Sequence, residues 1–440
     1  MKEGFAVMTP LDPTKYYLDN REALSKITFY LMVGGAVLLL LAFGGAYFGG
    51  AGTNGGHGSG ALPGAEIEGA VFKAAATVIE VSSRHKFFHT YLFSYVFYMA
   101  IAIGSLFFVV LQHLTRSEWS VTVRRVPEAV LGTFPLLIVL ALPILTLGMG
   151  LLYHWTHPEA VAEDPILQGK SGYLNLGFFF IRSAVYFIVF YGLARVYYKN
   201  STAQDVHGNV AHTARMQKYS PVATLVFALA TTFFAFDYLM SLMPHWYSTI
   251  WGVYYFAEAV VLALSFMTLV FLVLRMKGYL EREVNIEHYH DLGKLIFAFN
   301  VFWSYIAFSQ YMLIWYANIP EGTTFFVNRI NGSWLEVSVL LIVGHTVLPL
   351  LLYISRNAKR NLKMQFFITI LLIVMAIIDF YWVVMPNVDY GGVHVEMVDV
   401  LVFLGMGALF MGVFIRNLAK HPLIPVKDPR LERALNFENV

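Results

Sequence analysis

The chain has 440 residues, 58% of them hydrophobic, 16% aromatic and only 13% charged, with a formal net charge of +2 and a mean hydropathy of +0.61. That usage excludes a soluble domain of average composition, and repeated apolar runs of about twenty residues indicate a polytopic all-α membrane protein rather than a β-barrel. The near-neutral charge gives no support for nucleic-acid binding. With no cysteine, this chain can form no disulfide, ligate no iron–sulfur cluster and attach no c-type haem covalently.

Residues 1–26 are polar and charged and lack the short apolar core and small-residue cleavage site of a secretory signal. Ten spans follow: Ile27–Gly49, Lys86–Gln112, Ala129–Tyr153, Tyr173–Tyr198, Tyr219–Leu242, Thr249–Leu274, Leu292–Ala317, Trp334–Ile354, Met364–Met385 and Met397–Ile415. Residues 27–416 therefore form one transmembrane domain, and 417–440 a tail. Gly49–Gly60 reads as a flexible connection and Glu66–Val81 as a short helix on the membrane surface. Glu118–Glu128, with Trp119, Arg124 and Arg125 ahead of Pro127, suits an interfacial helix. Most Lys and Arg residues fall on the side of the termini, the opposite side having only Lys73, Arg84, Lys86, Lys170 and Arg329. Both termini are accordingly expected in the cytoplasm.

The fifth and sixth spans meet in DYLMSLMPHWYSTIWGVYYFAE (237–258). So short a turn makes the two helices antiparallel neighbours, with Asp237 and Glu258 at similar depths, roughly 10–15 Å below the outer surface at about 1.5 Å per residue. Ionisable groups at such depth are costly and are commonly functional. Arg182, in the fourth span and placed near the midplane, requires a carboxylate partner, for which Asp237 and Glu258 are the nearest by sequence. A purely structural ion pair pinning these helices fits equally well. The seventh span carries Asn300, Ser304, Ser309, Gln310 and Tyr311. Asn300, Ser304 and Tyr311 share one face, suited to a water file or to ordinary interhelical bonds. His345 and Asp379 extend the inventory. The proton-pathway candidates are thus Asp237, Glu258, Arg182, Asn300, Ser309, Gln310, His345 and Asp379.

A quinone headgroup needs donors and a titratable group within an aromatic, apolar pocket. His245, Trp251, Tyr254 and Tyr255 offer this near Asp237, whereas Trp246 and Tyr247 read as an interfacial aromatic belt. Two other motifs fail. Gly169-Lys170-Ser171 lacks the Gly of a phosphate-binding loop, since Asp164 stands there. His89, His113 and His345 lie at unmatched depths for haem b. No metal site is expected.

The runs DYLMSLMPHWYSTIWG (237–252), HDLGKLIFAF (290–299), SQYMLIWYANIPE (309–321) and HPLIPVKDPRL (421–431), with WSVTVRRVPE (119–128), resemble the NrfD/PsrC-like membrane subunits of bacterial alternative complex III. The resemblance covers nearly the whole chain, and its length looks more like the ActF-type subunit than the ActC-type. It implies two four-helix bundles plus two flanking helices in the bacterial inner membrane. It also implies a complex that passes electrons from menaquinol to c-type haem subunits through an iron–sulfur subunit. Implied partners are those subunits, a second NrfD-like subunit, small membrane subunits and lipid. The expected role is a non-redox, proton-conducting subunit. Alternatives are direct binding of quinol by this chain, or a stand-alone secondary transporter, for which Pro143 and Pro349 are the mid-span helix breakers.

Overall fold

The computed structural model describes residues 13–48 and 83–439; the expected glycine-rich connection and surface helix lie outside the described residues. Among the described residues, ten helices are long and apolar enough to cross a membrane: α1 (Arg21–Tyr47), α2 (Ser83–Leu114), α3 (Arg125–Leu152), α4 (Leu176–His207), α5 (Ala211–Leu242), α6 (Trp251–Met276), α7 (Ile286–Ala317), α8 (Trp334–Tyr353), α9 (Leu362–Asn387) and α10 (Met397–Lys420). No strand occurs among the described residues. The chain is an all-α, multi-pass membrane protein.

Helices α2–α5 pack as one four-helix group, α6–α9 as a second, and α1 pairs with α10 along the side. The central contact is between α2 and α6. Their apolar windows are 89% and 72% buried, against 17% for α1, so these two hold the groups together while α1 faces outward. Lipid supplies no hydrophobic drive between helices, so close approach depends on small residues. A Cβ on Gly104 of α2 would come within 2.0 Å of the Ala259 carbonyl of α6, and one on Gly252 of α6 within 2.6 Å of Thr232 on α5. Gly35 and Gly405 cross in the same way between α1 and α10.

Hydropathy fixes only the lipid-facing part of each helix. At about 1.5 Å per residue, the 32 residues of α4 reach about 48 Å, beyond the ~30 Å hydrocarbon core. Their extra turns, together with those of α5 and α7, form the end of the bundle where the termini lie. Asn175 caps α4 by accepting from Phe178 N at 2.9 Å, and Gly208 closes it in the left-handed region at φ 67°. Asn285 forms a capping box at α7.

The Glu118–Glu128 stretch is not interfacial. Its residues from Ser120 to Leu131 are buried, because the C-terminal tail folds back over them. Arg124 donates to Glu128 at 2.7 Å and to Asp428 at 2.8 Å. Arg125 lies 3.0 Å from Glu128 and pairs with Asp205 at the end of α4. Phe437 packs against Trp119 and His288, Asn285 donates to the Phe437 carbonyl, and Leu423 N donates to Tyr16 O at 2.7 Å. The tail thereby joins both helix groups and the N-terminal segment at one end of the molecule.

Two spans contain a π-helical turn. In α3 it covers Ile144–Gly148, directly after Pro143; in α8 it covers Ile342–Val347, two residues before Pro349. In α8 the proline lacks the N–H that would meet the His345 carbonyl four residues earlier, inside the widened turn; in α3 the widened turn follows its proline, and the carbonyl left without a donor, that of Val139, lies before it.

Candidate functional site

The two carboxylates that adjoin one turn in sequence occupy different interiors. Helix α5 closes the first four-helix group and α6 opens the second, so Asp237 points into one and Glu258 into the other.

In the first group Asp237 is fully buried and saturated. Arg182 donates to its Oδ2 at 2.8 Å and to its Oδ1 at 3.0 Å, and the Tyr186 hydroxyl donates to Oδ2 at 2.6 Å. The guanidinium also donates to Tyr173 O at 2.8 Å and lies 3.8 Å from the Tyr173 ring centroid. Arg182 stands two turns from the N-terminal end of α4, tied to the preceding loop, and not near the midplane as its place in the apolar run suggested. This two-point arginine–carboxylate bond is the geometry of a fixed structural pair.

In the second group Glu258 (α6), His345 (α8) and Asp379 (α9) are each fully buried. His345 Nε2 lies 3.0 Å from Glu258 Oε2, yet the approach is off the hydrogen-bond direction: both carboxyl oxygens and both imidazole nitrogens lack an aligned partner. Asp379 accepts from the Tyr254 hydroxyl through Oδ1, while its Oδ2 has no partner. Trp303 of α7 stacks on the imidazole at 3.8 Å between ring centres. The His345 carbonyl is the one that Pro349, four residues on, leaves without a donor. Asn300 Nδ2 takes it at 2.9 Å. The π turn in α8 thus sets His345 at the helix interface and exchanges a backbone bond for a bond from α7. Two carboxyls and one imidazole are thus gathered in one buried interior, where an uncompensated charge is costly.

Beside it stands Arg329, which sequence reasoning placed in an outer loop. It belongs to the helix Pro320–Ile330 and is fully buried. It donates to the carbonyls of Phe325 at 2.7 Å, Trp382 at 3.0 Å and Val383 at 2.6 Å, with its guanidinium 3.5 Å from the Phe325 ring centroid.

The remaining candidates separate. Ser304 donates to Asn300 O at 2.9 Å and accepts from Thr346 at 3.0 Å. Tyr311, expected on the same file, is exposed and packs on Phe326, so the file ends above Ser304. Gln310 accepts from Ser248 at 2.9 Å, and Ser309 is half-buried outside the cluster. The expected quinone set also divides. Tyr255 donates to Val96 O at 3.1 Å, Tyr254 serves Asp379, and Trp251 is buried and stacked on Tyr254. Only His245 faces a sizeable cavity. Trp246 is 2% exposed and stacked on Phe325, so it does not belong to the aromatic belt; Tyr247 is exposed.

That cavity, about 480 Å³ at the end of the molecule opposite the tail, is lined by His85, His89, His154, His157, His245, Tyr153, Asn328, Asn387 and Tyr390 over apolar walls of Leu151, Leu152, Leu242 and Met243. Its volume is that of a small-molecule site. His245 Nε2 pairs with Asp164, and His157 Nε2 approaches Gly150 O at 2.8 Å. Of the residues lining this cavity, sequence reasoning singled out His245 as a quinone candidate and weighed His89 as a haem ligand; the recurrence of histidine at outer helix ends (HKFFH 85–89, HWTH 154–157, PHW 244–246) was the signal for the whole site. No family model matches the sequence, and no curated protein matches it.

Proposed function

We propose that the chain is a non-redox membrane subunit of a respiratory quinol:electron-acceptor oxidoreductase, of the NrfD/PsrC-like kind found in alternative complex III, and that its second helix group holds exchangeable protons. The single observation that carries the proton-holding role is the Glu258–His345–Asp379 cluster with its unpartnered oxygens and nitrogens. The respiratory assignment rests on the sequence runs 237–252, 290–299, 309–321 and 421–431. In this reading the protein resides in the bacterial inner membrane with a second NrfD-like subunit, an iron–sulfur subunit, c-type cytochromes and small membrane subunits. Extraction in mild detergent should co-purify haem-bearing and iron–sulfur partners; a lone, transporting chain would contradict the assignment.

A second reading is favoured by the histidine-lined cavity: this chain would itself bind menaquinol at its outer end. Imidazoles and amides there can donate to both ring oxygens. His245 belongs to that pocket, while Trp251, Tyr254 and Tyr255 do not. A photoreactive quinone analogue should then label residues around His154 and His245. Labelling confined to another subunit would remove this reading and leave the proton-holding role intact.

A further inference from the structure

A second, much smaller void lies beside Arg329. It measures about 10 Å³ and is walled by Trp246, Trp251, Arg329, Met243 and Asn387 among others, room for one guest of about the size of a water molecule. Trp246, Trp251 and Arg329 are 2%, 1% and 0% exposed. Neither indole Nε1–H has an acceptor. The Arg329 guanidinium reaches only backbone carbonyls and, at 4.0 Å, the Met243 sulfur. Among the described residues it pairs with no carboxylate.

Indole and guanidinium nitrogens only donate. The void therefore combines a buried guanidinium that touches no carboxylate with two buried donors that have no acceptor, each of which is costly. We propose that it is a binding site for a small monovalent inorganic anion of the chloride class. A water molecule would also need acceptors for its own hydrogens. The wall offers a single side-chain oxygen, Asn387 Oδ1, enough for one of a water's two hydrogens, while the Asn387 amide nitrogen is committed to the carbonyls of Val383 and Val384. An anion needs only donors, and these walls supply them. Met243 and Asn387 also line the histidine cavity, whose one adjoining carboxylate, Asp164, is paired with His245, so the void lies next to the cavity at the outer end.

On the inner side Trp251 stacks on Tyr254 with ring centres 5.1 Å apart, and the Tyr254 hydroxyl holds Asp379. A bound anion thus neutralises Arg329 one ring pair away from the proton-holding cluster. The site stands on its own donors and does not depend on the respiratory assignment.

The test uses the intact chain, with whatever subunits accompany it, in lipid nanodiscs exchanged into sodium gluconate and titrated with sodium bromide at constant ionic strength. Tryptophan emission should show a saturable quenching component. Its half-saturating concentration should rise roughly tenfold in Trp251→Phe, which removes one donor to a charged guest, and saturation should vanish in Arg329→Gln. As a second readout independent of the lost fluorophore, chloride should raise the thermal midpoint above that in gluconate for the native chain and less for Trp251→Phe. Linear, collisional quenching of the native chain, or equal midpoints in chloride and gluconate, would overturn the site. Saturation that persists in Glu258→Gln while proton release is lost would show the two sites to be separate.

Discussion

Asp237 and Glu258 stand 21 positions apart on neighbouring helices, and both are buried, yet one is bonded on every side and the other is not. Asp237 has a guanidinium across both oxygens and a phenol besides, whereas Glu258 faces a histidine out of line and a second acid nearby. The difference lies in their neighbours. A carboxylate met by a two-point cation is fixed in place. One met by an imidazole and another carboxyl lacks that tie, and it is this side chain that the proposed function uses for proton exchange.

The sharpest way to break this comparison is to neutralise each acid. Asp237→Asn leaves Arg182 buried without its counter-charge and should cost about 3–5 kcal/mol of stability, read as a fall in the unfolding midpoint, with turnover per folded molecule unchanged. Glu258→Gln and Asp379→Asn should do the reverse. Quinol turnover or its proton release should fall on the order of a hundredfold, with little change in midpoint, because Glu258 has no aligned bond to lose and an amide oxygen in place of the Asp379 carboxyl can still accept from Tyr254. If Glu258→Gln unfolds the protein and Asp237→Asn spares it, the roles are exchanged.

A smaller effect is expected at the tail. Desolvation raises the Asp428 carboxyl, but Arg124 and Arg430 more than offset it and hold the group well below the usual carboxylate range. A depressed folded-state value means that the clamp contributes fully above the ordinary aspartate pKa of about 3.9 and is lost only as pH falls through its lower folded value. Limited proteolysis should therefore find the tail docked at about pH 5, as at neutrality. Asp428→Asn should release it at neutral pH at a cost of about 1–3 kcal/mol. Release by mild acid in the native chain would contradict this sign.

The smallest effect should come from Pro349→Ala. Restoring a backbone donor to the His345 carbonyl competes with Asn300 and draws α8 back toward α-geometry. Proton-linked turnover should fall a few-fold, for an energy of about 1 kcal/mol. An unchanged rate would show that the π turn does not place the imidazole.

The spans, and the restriction of Arg182's partner to Asp237 or Glu258, were legible because they rest on local signals: apolar length, a short turn and the cost of a buried cation. The choice between the two acids was not legible, because it depends on which four helices share an interior, and the boundary falls within the 237–258 turn. For the same reason His345 was noted in the sequence but not joined to Glu258, 87 positions away. Its relation to Pro349 was readable, since the missing donor is a matter of spacing alone. Glu118–Glu128 looked interfacial because its charges seemed to need water, and the carboxylates that satisfy them, Asp205 and Asp428, lie far along the chain. Arg329 was placed on the outer side, but its burial was not legible, because its partners are carbonyls, which leave no mark in a sequence.

The most direct measurement is infrared difference spectroscopy of carboxyl protonation, driven by a pH step or by quinol reduction. A carboxylic C=O band should be present in the native protein and in Asp237→Asn, and should be lost or shifted in both Glu258→Gln and Asp379→Asn. A band that survives in those two variants, or that disappears in Asp237→Asn, would contradict the assignment of the exchangeable proton to the second helix group.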